Sequence, residues 1–140
     1  MMTYKEKINY LSSYRRLVQE CSDIQDEIVH LENKKTRMGG SFPKMPSTNA
    51  VNNKSAIEEL VSEIDALETR LRVRSSVFKR ILNEIDTSIS RIPDPTAQQL
   101  LRYRYIYGYT FDEIARKMHY NDRSYVHRYH KKIIKKYDFD

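Results

Sequence analysis

The strongest constraint on this chain is a pair of apolar stripes, each stepping by three and four residues, with helix-breaking residues between them. In the first, Tyr10, Tyr14, Leu17, Cys21, Ile24, Ile28 and Leu31 recur at those steps. An α-helix turns once in about 3.6 residues, so this spacing stacks the apolar side chains in a coiled-coil seam. In the second, Ile57, Leu60, Ile64, Leu67, Leu71, Phe78, Ile81 and Ile85 form a like stripe, with Ser55 and Glu58 ahead of it at capping-box spacing. Arg74 interrupts that stripe, where a charge either fixes register or leans outward along its methylene stem. Between the stripes, residues 36–54 (TRMGGSFPKMPSTNAVNNK) hold adjacent glycines and two prolines and read as a flexible linker.

The two segments match in length. About 33 residues from Thr3 to Lys35 would span roughly 50 Å, and about 37 residues after the linker roughly 55 Å. A lone amphipathic helix cannot bury its stripe, so each must pack on the other or on a second chain. The expectation is a long antiparallel coiled-coil hairpin over residues 1–92, with Leu17, Ile24, Ile28, Leu31, Leu60, Ile64, Leu67 and Leu71 as pairing and oligomerisation residues. Spacing alone does not separate pairing within the chain from pairing between chains.

Composition agrees with extended helices: of 140 residues, 31% are charged and 39% hydrophobic, with only three glycines and four prolines. The net charge of +6 is uneven, because residues 93–140 carry ten Lys/Arg against six Asp/Glu, whereas residues 1–92 carry fifteen against thirteen. The excess points to an acidic partner, either nucleic acid or an anionic membrane surface. No apolar run reaches membrane-spanning length and the opening MMTYKEKINY lacks a secretory hydrophobic segment, so a cytoplasmic protein is expected. The single cysteine, Cys21, excludes an intramolecular disulfide and reads as a small buried hydrophobe. There is no phosphate-cradling glycine loop and no serine elbow, and Glu58, Glu59, Glu63, Asp65 and Glu68 read as a solvated helix face. Neither an enzymatic activity nor a cofactor is expected.

Pro93 and Pro95 mark a boundary, with a second domain over residues 93–140. Asp94 can cap a helix whose first position is Pro95, where the missing amide hydrogen costs nothing. That helix is expected over 95–107, burying Leu100, Leu101, Tyr105 and Ile106 and ending at Gly108 in a left-handed stop. Thr110 and Glu113 stand at capping-box spacing ahead of Ile114, Ala115 and Met118, predicting a helix over 110–118 whose small Ala115 permits a close crossing. His119, Tyr120 and Asn121 break the pattern, and Asn121 or Asp122 can cap a last helix over 122–137. Between Arg123 and Lys136 this last helix holds six Lys/Arg and no acid. The whole chain is therefore expected to be all-α, the hairpin being followed by a three-helix helix-turn-helix domain. With fewer than 50 residues that domain has a marginal core, which docking or oligomerisation would support.

In a helix-turn-helix unit the second helix enters the DNA major groove with its N-terminal residues near base edges. Val126, Tyr129 and Ile133 best fill the inward face, with Tyr137 as an extension. Arg123, Ser124, His127, Arg128, Lys131, Lys132 and Lys135 are then the DNA-binding candidates: arginines suit guanine edges, Ser124 and His127 bases or phosphates, lysines phosphates. If Tyr125 is buried instead, Arg128 turns inward and the set changes. The lysines can also simply solvate a helix end, and the tyrosines from Tyr103 to Tyr129 read chiefly as packing. His127 and His130 have no cysteine or carboxylate cluster beside them, so no metal site is expected.

The segment LLRYRYIYGYTFDEIARKMHYNDRSYVHRYHKKII, Leu100 to Ile134, resembles the C-terminal part of phage-encoded transcriptional regulators of the ArpU and RinA type. Their helix-turn-helix is in turn similar to the promoter-reading domain of bacterial sigma factors. The resemblance rests on Arg104-Tyr105, Gly108, Glu113-Ile114-Ala115, Tyr120, and Val126 to His130, about a quarter of the chain. Tyr120 to Val126 is one residue longer than the usual turn, and His119 stands where glycine is common. The resemblance implies a sequence-specific regulator of phage or prophage origin in the bacterial host cytoplasm, binding double-stranded DNA as a homo-oligomer, with RNA polymerase as a further partner. Two other readings fit the same layout: a small terminase subunit recognising phage DNA, and a coiled-coil protein that binds RNA polymerase or a repressor.

Overall fold

The computed structural model describes residues 1–39 and 48–139. These residues form six helices: α1 (Tyr4–Gly39), α2 (Thr48–Ser76), α3 (Phe78–Ser90), α4 (Pro95–Tyr105), α5 (Phe111–Lys117) and α6 (Arg123–Lys136). No strand occurs among the described residues, and the protein is all-α. No helix among them is long and apolar enough to cross a membrane. Two of the expected boundaries differ. The linker over 36–54 is shorter, because α1 runs through Gly39 and α2 begins at Thr48; residues 40–47 lie outside the described residues. Both glycines and both prolines of that stretch fall at 39–46, whereas 48–54 contain no breaker. Ser55 and Glu58 accordingly lie inside α2 and do not open it.

The expected second long helix also breaks, between α2 and α3 at Val77. There the Val77 amide donates to the Arg74 carbonyl at 3.4 Å, and Ser76 Oγ donates to the Val73 carbonyl at 2.7 Å. A serine hydroxyl bonding back to the preceding turn competes with the helical ladder and bends it.

The chain divides into two compact units, Gln19–Val77 and a second made of Met1–Val18 with everything from Phe78 onward. The division does not fall at residue 92, because the start of α1 and all of α3 supply core to the C-terminal helices. In the first unit Leu31, Leu60 and Ile64 are buried together with Ile28, Met38 and Leu67 against them. Glu20 there pairs with Arg74 Nε at 3.0 Å and Arg70 Nη2 at 3.4 Å. Partners late in α1 meet residues early in α2, and an earlier one meets residues later, so the segments run antiparallel within one chain. Arg74, the interruption in the stripe, is thus held by an ion pair across the helices. Cys21 and Ile24 are buried and Leu71 is half-buried.

The second unit is built around Leu11 of α1, Ile85 and Ile89 of α3, Leu100 and Leu101 of α4, Ile114 of α5, and Val126 and Ile134 of α6, all fully buried. Leu17 is also buried. Polar ties fix the helices around that core. Thr3 and Glu6 open α1 with a reciprocal capping box, at 2.9 and 3.2 Å. Tyr10 and Ser88 share a hydrogen bond of 2.9 Å between α1 and α3. Arg102 of α4 donates to Asp86 of α3 at 2.9 Å. The buried Lys7 donates to the Ile134 carbonyl at 2.9 Å and lies 3.3 Å from the Asp138 carboxylate. That carbonyl is in the last turn of α6, where it has no partner in the helix and carries the negative end of the dipole. A core that would be marginal over 93–140 alone is completed by α3, just ahead of it, and by the start of α1, from the other end of the chain.

Candidate nucleic-acid interface

The local caps explain how α4, α5 and α6 are set. Asp94 caps α4, accepting from the Thr96 amide at 3.0 Å, with Pro95 at the first position. Its other carboxylate oxygen accepts from the Tyr129 hydroxyl at 3.0 Å, so one side chain starts α4 and holds α6 against it. α4 ends at Tyr105, two residues short of the expected 107, with the Ile106 amide donating to the Arg102 carbonyl; Gly108 lies beyond the helix end and takes the expected left-handed conformation at φ 75°. Thr110 caps α5 by accepting from the Glu113 amide at 3.2 Å, while the Glu113 carboxylate takes the Thr110 hydroxyl at 3.1 Å instead of reaching the backbone. Ala115 is buried where α5 and α6 cross. His119, at φ 60°, performs the reversal after α5 in place of a glycine, and Asp122 then caps α6 through the Tyr125 amide at 3.0 Å.

The faces of α6 follow. Val126, His130, Ile133 and Ile134 are buried, and Tyr129 and Tyr137 half-buried. Arg123, Ser124, His127, Arg128, Lys131, Lys132 and Lys135 are all exposed. At about 100° per residue Ser124, His127, Arg128, Lys131, Lys132 and Lys135 share the arc outside the buried set, whereas Arg123 is in line with the buried residues and is exposed as the first residue of α6. Tyr125 is 46% exposed and packs its ring on Tyr120, with centroids 4.7 Å apart. The register with Tyr125 inward is not adopted, and Arg128 faces out.

Four of the seven, Arg123, Ser124, His127 and Arg128, form one wall of a groove of about 710 Å³ whose other wall is Arg104, Thr110, Phe111 and Asp112. The remaining three, Lys131, Lys132 and Lys135, lie on α6 outside that groove. Phe111 links the walls: its ring meets His127 edge-on at 5.3 Å between centroids, and the Arg104 guanidinium carbon lies 4.1 Å above it. Arg104 Nη1 also donates to the Tyr109 carbonyl at 3.2 Å. Phe111 was not legible as part of this surface, because an aromatic residue following a helix cap reads equally well as core. Arg104 carried a signal only through the family resemblance.

His130 turns out to be core. It is 5% exposed, its Nε2 is hydrogen-bonded to the Tyr105 hydroxyl, and its Nδ1 has no partner. Burial first, then the charges of Arg104 and His127, push its pKa down to about 4, so the ring is neutral. Burial likewise raises the phenols of Tyr105 and Tyr129, the latter also through its bond to Asp94. Among the described residues no group of three or more His, Cys, Asp or Glu side chains is arranged to hold a metal ion. The outward face of α6 is a row of permanent cations and hydrogen-bond donors with no acid within the helix, chemistry suited to a polyanion with readable edges.

Comparison with protein-family models, with curated proteins and with solved structures returned no match.

Proposed function

We propose that the chain binds double-stranded DNA through α6 and acts as a sequence-specific transcriptional regulator of the phage-encoded type that Leu100 to Ile134 resembles. The observation that carries the reading is the division of α6 into a buried set, Val126, His130, Ile133 and Ile134, and an exposed set that includes Arg123, Ser124, His127, Arg128 and Lys131. A helix so divided is held rigidly by its core while its donors remain uncommitted, which major-groove recognition requires. Self-association belongs to the same reading, since two linked heads on one duplex multiply the affinity of each. The stripes of α1 and α2 are occupied within the chain, so that pairing would use another surface. Host cytoplasm and RNA polymerase follow as setting and partner.

The test is fluorescence anisotropy of labelled duplexes over a salt series, first with random sequence and then with fragments selected for binding. Binding is expected to weaken steeply with salt. Arg128→Ala is expected to cost about 1–3 kcal/mol on a selected site and to relax its preference at one position. Absence of salt-sensitive binding at low ionic strength refutes the reading.

A further inference from the structure

Beside the groove along α6 lies a second one, of about 480 Å³, between α1, α4 and α6. Ser12 and Arg15 of α1, Arg104, Gly108, His127 and His130 contribute to its walls, and none of its lining residues is acidic. Arg15 is half-buried against Gly108, where a Cβ would stand 2.6 Å from its Cζ. Glycine at 108 therefore does two things: it takes the left-handed turn and it leaves room for a guanidinium. Among the described residues Arg15 makes no hydrogen bond or ion pair, and Arg104 has no carboxylate partner. His130, one of the lining residues, carries in its Nδ1 the one buried side-chain polar atom without a partner among the described residues. Two half-buried guanidiniums without a carboxylate partner can take an anion, whose charge offsets the cost of their partial desolvation. The planar fork of arginine matches phosphoryl oxygens in particular.

We propose that Arg15 and Arg104, with His127 beside them, form an oxyanion site that takes a phosphoryl group, supplied by the DNA backbone flanking the stretch that α6 reads. This rests on the DNA reading above, because the two grooves share Arg104, Phe111 and His127. It adds a contact from α1, far outside the helix-turn-helix in sequence. Such a contact fixes orientation on the duplex and carries no base preference.

The experiment compares the full chain with Arg15→Gln, keeping circular dichroism and melting as checks on folding. On duplex DNA, loss of one phosphate contact lowers the slope of log affinity against log salt by about 0.9, which is roughly an eightfold loss at 0.1 M salt, equal for selected and random sequences. In a second arm inorganic phosphate alone is titrated while the His127 and His130 ring resonances are followed by NMR. Wild-type binding to DNA with the reduced slope in Arg15→Gln supports the site with a backbone phosphate as its ligand. No DNA binding by either protein, but phosphate-dependent ring shifts that Arg15→Gln abolishes, supports the site with free phosphate as its ligand and overturns the DNA reading instead. Wild-type DNA binding with an unchanged slope in the variant and no phosphate-dependent shifts overturns the site and leaves the DNA reading standing.

Discussion

Acid should loosen the unit that carries α6, and the share due to one buried histidine can be isolated. His130 is buried and neutral, with its pKa held at about 4 chiefly by burial. In the unfolded chain the same ring titrates near 6.5. Between those values the unfolded state binds a proton that the folded state refuses, so stability rises with pH across that window and is lost as pH falls through it. Above about pH 6.5 the ring is neutral in both states and contributes no pH dependence. Two-state linkage of this one ring gives a loss of roughly 2–3 kcal/mol on going from about pH 7.5 to about pH 4.5. The comparison is with His130→Gln, which keeps a hydrogen-bonding amide and cannot titrate. All eleven tyrosines lie within residues 1–18 or after 78, and there is no tryptophan, so tyrosine fluorescence in urea follows this unit alone. Subtracting the two stability curves removes the carboxylates common to both proteins. The wild type should lose roughly 2–3 kcal/mol more than the variant over that interval, and parallel curves would refute the account of His130 as a neutral core residue.

Other perturbations test the same unit. Gly108→Ala puts a side chain at φ 75° and against Arg15; a cost of about 1–2 kcal/mol is expected in tyrosine-monitored melts. The same variant should reduce the salt slope of DNA binding as Arg15→Gln does, since the guanidinium must move. Asp94→Ala removes both the α4 cap and the acceptor of Tyr129; a loss of about 2 kcal/mol is expected from urea titration, and no loss would show that the two contacts contribute little.

Much of the helical detail was readable in advance because its causes are local. Asp94-Pro95, Gly108, Thr110 and Asp122 act on backbone groups within a few residues, and each does so in the structure. The inward assignment of Val126 and Ile133 followed from period alone. What period could not decide was Tyr125 against Val126 at the inner edge of α6, because both are bulky and adjacent. Packing decides it: Val126 fits a fully buried position, while Tyr125 finds Tyr120 and Tyr129 at the surface. His130 was missed for a related reason. A histidine followed by two lysines reads as exposed, and the Tyr105 hydroxyl on α4 supplies the partner that lets it go inside.

By itself, then, the sequence determined an all-α chain, the faces of its helices, and the cationic surface of the last one, since periodicity, capping and charge act over a turn or two. Only the tertiary structure decided what those faces meet. It brought Lys7 and Leu11 of α1 and Ile85 of α3 into the core beneath α6, turned the long stripes of α1 and α2 toward each other within one chain, and laid Arg15 against Gly108. An apolar stripe specifies that burial must occur but carries no record of the partner, and that choice belongs to the packing of residues far apart in the chain.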